Sequence, residues 1–111
     1  MTQVKYPDMI ENLPDINLDV PGVKGKLLQA GDKQLVFFEI LAVGAIPPHS
    51  HGAQWGIVVD GEVEMTIGGV TQTMRKGDSY FIPAGVVHSG TVKERVLAID
   101  IFDEPARYKP K

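Results

Sequence analysis

At 111 residues and 12.1 kDa the chain has room for one domain and one core. Its 43% hydrophobic and 23% charged residues describe an ordinary globular protein and not a disordered or fibrous one. A formal charge of -3 with no basic run longer than Arg75-Lys76 argues against a nucleic-acid footprint, and the absence of cysteine excludes disulfides, thiolate metal sites and cysteine nucleophiles.

Residues 1–22 hold Pro7, Pro14, Pro21 and Gly22 among scattered apolar residues. Prolines at that spacing leave no room for a long helix, so this stretch reads as an N-terminal extended arm that packs on the domain or on a partner subunit. Its first residues lack the apolar core of a signal peptide. From Val23 onward the signals are those of strands, and residues 23–111 read as one domain. Val23 to Ala30 is a strand closed by Gly31-Asp32. Gln34 to Val43 is rich in β-formers, with Val36, Phe38, Ile40 and Ala42 on one face and Glu39 breaking the other. The longest apolar run, Leu35 to Ile46, is interrupted by Glu39 and Gly44 and is too short to cross a bilayer. With no cysteine and no leader, the expectation is a cytoplasmic protein.

Gln54 to Val59 leads into Asp60-Gly61, the dipeptide a tight hairpin wants. Glu62 to Ile67 alternates, with Val63, Met65 and Ile67 inward. Gly68-Gly69 turns the chain into Val70 to Arg75, and Lys76-Gly77-Asp78 turns it again. Ser79 to Ile82 is short and aromatic, Pro83-Ala84-Gly85 is a turn, and Arg95 to Phe102 is the last strand. About eight short strands, joined this closely, must pair antiparallel, which gives an all-β sandwich or small barrel of the jelly-roll kind.

Three histidines carry the chemistry. In His49-Ser50-His51 an extended backbone points both rings to one face, where both can reach one ion. Gln54 follows three residues later. Strict alternation puts it on the opposite face from His51, so it joins the site only if the chain bends at Gly52-Ala53. His88 follows the Pro83-Ala84-Gly85 turn.

The segment Gly77-Asp78-Ser79-Tyr80-Phe81-Ile82-Pro83-Ala84-Gly85-Val86-Val87-His88 matches the second cupin motif: Gly, five residues, Pro, one residue, Gly, two residues, His. The stretch from Gly44 through His49, His51 and Gln54 to Gly61 resembles the first motif. The chain therefore resembles a small single-domain cupin, with the RmlC-like jelly roll or double-stranded β-barrel that this implies, from about Gly44 to Phe102. By that resemblance His49, His51 and His88 are metal ligands inside the barrel, with Gln54 where the first motif usually has Glu. The gaps Gly44–His49 and His51–Gln54 are each one residue shorter than the family pattern, and Val92 stands where the second motif ends in Asn. Three imidazoles and an amide leave a divalent ion its full charge, which favours anionic ligands. One ion per chain is expected, with zinc, nickel, iron and manganese all open.

Asp100 is the lone charge in Val96-Leu97-Ala98-Ile99-Asp100-Ile101-Phe102, whose two faces are otherwise apolar. A buried acid there must be paired, ligated or used; at a sheet edge it simply meets water. Asp100-Ile101-Phe102 followed by Arg107 resembles the site of the cupins that open the ring of unsaturated uronates in pectin and alginate degradation, with Arg107 one residue later than that pattern. The resemblance implies Asp100 as proton carrier, Arg107 as partner of a substrate carboxylate, and Phe102 as a substrate contact. Trp55 and Tyr80 either pack the core or touch substrate.

The leading function is a metal-dependent enzyme acting on a small, oxygenated, anionic molecule by isomerisation or ring opening. A cupin dioxygenase is the enzymatic alternative, and a small-molecule binding or sensory module is the other class. The proline-spaced arm and short strands point to a homodimer binding a small molecule, with no membrane and no nucleic-acid partner.

Overall fold

The computed structural model describes residues 4–111; the first three residues of the expected arm lie outside them. One short helix, α1 (Asp8–Glu11), precedes nine strands: β1 (Val23–Ala30), β2 (Lys33–Ile40), β3 (Gly44–His49), β4 (Gln54–Asp60), β5 (Glu62–Ile67), β6 (Val70–Arg75), β7 (Ser79–Ile82), β8 (His88–Val92) and β9 (Val96–Phe102). They form two antiparallel sheets, one in the order β1-β2-β9-β4-β7 and one in the order β3-β8-β5-β6. No helix among the described residues is long and apolar enough to cross a membrane.

Turn chemistry sets much of the register. Gly68 and Gly69 both have positive φ, at 56° and 83°, which lets β5 and β6 pair residue for residue from Ile67↔Val70 to Glu62↔Arg75. The expected long strand over Gln34–Val43 stops at Ile40 instead. The Leu41 N–H turns to Gly22 O (2.8 Å), and the chain restarts as β3 at Gly44, where φ is 77°. In β3, Pro47 and Pro48 have no N–H to donate, and the pairing with β8 shifts register between Ile46 and His49.

The inward faces meet in two clusters. Val58, Met74, Tyr80, Ile82, Val92 and Val96 form one, and Ile16, Leu27, Val36, Phe38 and Phe102 the other. Val92, at the position where the cupin pattern has Asn, is fully buried and serves the core.

The arm is not extended throughout, because α1 makes one turn directly after Pro7, whose carbonyl accepts from the Ile10 N–H (2.9 Å) and the Glu11 N–H (3.0 Å). Its described residues lie on the chain's own domain. The Ile16 N–H donates to Gly25 O (3.0 Å) and the Leu27 N–H to Pro14 O (2.8 Å), so residues 14–16 cover the outer edge of β1. Ile16 is 3% exposed and fills the space over Gly25, where a Cβ would stand 2.7 Å from Ile16 Cδ1. The Tyr6 hydroxyl donates to Phe38 O (2.8 Å) and Ala98 O (3.2 Å).

Candidate metal centre

A cavity of about 600 Å³ opens between the two sheets. Gln54, Tyr80, Ala98 and Asp100 line it from the five-stranded sheet, and His49, Met65 and His88 from the four-stranded one. Leu18, Val20 and Pro21 of the arm border it as well. His49 ends β3 and His88 begins β8, opposite each other in the ladder. His51 lies in the link between β3 and β4.

The three rings converge, with centroids 4.2 Å apart for His49–His88, 4.8 Å for His51–His88 and 5.4 Å for His49–His51. One nitrogen from each lies within 4.8 Å of the other two. Every Nδ1 is already committed to a backbone carbonyl: His49 to Pro47 O (2.9 Å), His51 to Gly52 O (2.8 Å) and His88 to Val86 O (3.0 Å). A carbonyl can only accept, so each Nδ1 carries the hydrogen and each Nε2 keeps its lone pair for the cavity. Burial lowers the His51 and His88 rings from the ordinary histidine value, against the pull of the carbonyls their Nδ1 atoms meet, and the Arg107 guanidinium pushes the same way as burial, which favours the neutral ring. His88 Nε2 is buried with no hydrogen-bond partner. A buried nitrogen lone pair without a partner, facing two more of its kind, fits a divalent metal ion.

Asp100 sits beside this cluster. β9 runs between β2 and β4, so the edge-strand explanation is excluded and Asp100 is 2% exposed. Across β9, β4 and β7 the residues in register are Asp100, Gly56 and Tyr80. Gly56 has no side chain, so Asp100 and Tyr80 reach over it. The Tyr80 hydroxyl donates to Asp100 Oδ1 at 2.6 Å, and Gln54 Nε2 donates to the same oxygen at 2.8 Å. Burial pushes the Asp100 carboxyl up to about 6, against the pull of these two donors. Gln54 enters the cavity because residues 50–53 belong to neither strand, which resets the alternation that His51 would otherwise impose. With its nitrogen held by Asp100, the end of the amide left over is the carbonyl oxygen.

A cupin-domain family model matches residues 36–102. The chain belongs to the cupin family. This cupin is 34% identical over 84 residues to "H2HPP isomerase" of Bacillus subtilis, a match over 72% of the chain that spans about a third (36%) of that relative's length. Among solved structures it is similar to KdgF from Halomonas sp., at 27% identity and a TM-score of 0.72 over 84% of this chain and 87% of that one. It is also similar to an RmlC-like cupin from Shewanella frigidimarina, at 25% identity and a TM-score of 0.76 over 96% and 94%.

Not every expected contact residue reaches the cupin's cavity. Trp55 alternates with Gln54 on β4, faces the outer side of the sheet, is 39% exposed and does not line the cavity. It is neither core nor cavity wall. Tyr80 and Phe102 are buried and line the cavity, with the Phe102 ring 5.5 Å from that of His51. Arg107 lines it too; its guanidinium lies 4.8 Å from the Tyr108 ring centroid, and its Nε is buried without a partner.

Sequence reasoning passed over two supports. The buried Gln34 amide brackets the backbone of Tyr108, donating to its carbonyl (2.7 Å) and accepting from its N–H (2.9 Å), which fixes the segment carrying Arg107. Glu104 accepts from the Gly52 N–H at 2.8 Å. A buried Gln in a strand was the available signal for the first. A single Glu in a polar tail offers none for the second.

Proposed function

We propose that this cupin is a metal-dependent enzyme that acts on a small, oxygenated, anionic substrate by isomerisation or ring opening. The observation that carries the reading is that three free Nε2 atoms, a buried carboxylate and an unpartnered guanidinium nitrogen border one cavity. The likeness to the "H2HPP isomerase" of Bacillus subtilis supports that reaction class.

His49, His51 and His88 would hold one divalent ion, and Gln54 would offer its Oε1 as a further ligand. A bound ion supplies a Lewis acid that polarises a carbonyl or hydroxyl oxygen. Asp100 carries a proton between carbons or oxygens of the substrate. It also holds Gln54 by the amide nitrogen, so ligand orientation and proton transfer share one residue. Arg107 binds the substrate carboxylate through charge-assisted hydrogen bonds. Tyr80 and Phe102 close the wall, and the apolar residues of the cavity exclude water.

The test is turnover of unsaturated uronates and small keto acids by the full chain loaded in turn with zinc, nickel, manganese or ferrous iron. Turnover of one of them is expected, with Arg107→Ala raising KM more than it lowers kcat. No turnover with any of these metals overturns the isomerase reading and favours dioxygenase chemistry or a binding module.

A further inference from the structure

His51 is the ligand that no strand holds. Its link, residues 50–53, runs between two sheets, and three ties keep it in place. The Gly85 N–H donates to His51 O (2.9 Å), the Asp103 N–H donates to Ala53 O (2.9 Å), and the Gly52 N–H donates to Glu104 Oε2 (2.8 Å). The third alone comes from a side chain. The same Oε2 lies 3.7 Å from His51 Nδ1, which donates to Gly52 O. One carboxylate oxygen therefore sits against both the loop backbone and the N–H side of a metal-binding ring.

We infer that Glu104 is a positioning residue for the metal centre: its carboxylate clamps the loop that carries His51 and sets how firmly that histidine binds the ion. This rests on the three-histidine reading above. Two physical effects act together. A negative charge beside the Nδ1–H end of an imidazole favours positive charge on the ring and makes the opposite Nε2 a better donor. The hydrogen bond to Gly52 fixes the backbone next to the ligand, so the ring arrives in a set orientation. Gly52 shows how close the clamp is. A Cβ there would stand 2.6 Å from Glu104 Cγ and 2.9 Å from Cδ and Oε2, so only glycine lets the carboxylate approach. The Glu104 side chain is 33% exposed against 7% for His51, which places the clamp at the rim of the site and the ligand inside it.

The experiment titrates Zn²⁺ into the metal-free full chain against a chromophoric chelator and follows the melting temperature of the metal-free form. Glu104→Ala should weaken Zn²⁺ by about 10- to 100-fold while the metal-free protein melts close to wild type. Glu104→Gln keeps an acceptor for the Gly52 N–H and removes the charge, so it should weaken Zn²⁺ by about threefold or more. Gly52→Ala should weaken Zn²⁺ when Glu104 is present and have little further effect in the Glu104→Ala background. Wild-type Zn²⁺ affinity in folded Glu104→Ala overturns the inference, and should that variant not fold, wild-type affinity in Glu104→Gln does the same. If wild type itself takes up no Zn²⁺, the three-histidine reading falls and this inference with it; if wild type binds and the variants match it, the inference alone falls.

Discussion

Gly56→Ala tests the packing behind the site by the sign of its effect. Gly56 does not have positive φ, so alanine suits its backbone. On backbone grounds alone the change should stabilise by about 0.4–1 kcal/mol, because it restricts the unfolded chain. The structure dictates the opposite. A Cβ at Gly56 would land on Asp100 Oδ1 and on the Tyr80 hydroxyl and its ring carbon. One of those two buried side chains must move, and the 2.6 Å hydrogen bond between them breaks. Losing a hydrogen bond to a charged group costs about 1.5–3 kcal/mol. Overpacking a strand between two others adds about 1–3 kcal/mol. Net of the backbone gain the total is about 1.5–5.5 kcal/mol, or a melting temperature lower by roughly 10–30 °C in a domain of this size. The assay is thermal unfolding of the metal-free protein by circular dichroism, run as a cycle with Tyr80→Phe. Tyr80→Phe should cost clearly less in the Gly56→Ala background, since the hydrogen bond is already gone. A stabilising Gly56→Ala, or strictly additive costs, would refute the reasoning.

Ile16→Ala should cost about 2–5 kcal/mol by urea unfolding, because the residue is core although it lies in the arm; a change below about 1 kcal/mol would show that the arm is detachable. Gln54→Glu adds a carboxylate's attraction for Zn²⁺ but replaces the amide donor to Asp100 Oδ1 by a second acid, so Zn²⁺ should bind more tightly with a steeper pH dependence than in wild type, and an anionic substrate more weakly; no change in any of these means Gln54 is not a ligand. Asp100→Asn should lower kcat by about 100-fold or more, and a variant with wild-type turnover removes Asp100 from the reaction. Trp55→Ala should leave KM and metal affinity unchanged, because the side chain faces outward from β4.

The alternating strands and glycine turns from Glu62 to Arg75 were legible because each residue there has one face and one role, and the register follows the Gly68-Gly69 turn. His49 and His51 were legible as a pair from their i, i+2 spacing, and His88 from the cupin motif that ends on it. β8 was not, since His88-Ser89-Gly90-Thr91-Val92 has only one aliphatic residue and takes its order from neighbours β3 and β5. Trp55 was misplaced because an aromatic side chain reads as buried when its strand's facing is unknown. Glu104 was invisible because its partner Gly52 is 52 positions away and offers only a backbone N–H. Asp100 was singled out correctly as a lone acid, but its partners Tyr80 and Gln54 come from other strands, and only the sheet order reveals them.

The three-histidine centre is tested most directly through His88, whose Nε2 is the buried nitrogen with no protein partner. Elemental analysis of protein purified without a histidine tag should find about one divalent ion per chain in wild type and about a tenth of that or less in His88→Ala, with the strand circular dichroism retained. Full metal content in His88→Ala, or a wild type that remains metal-free after incubation with zinc, nickel, iron and manganese, would contradict the account.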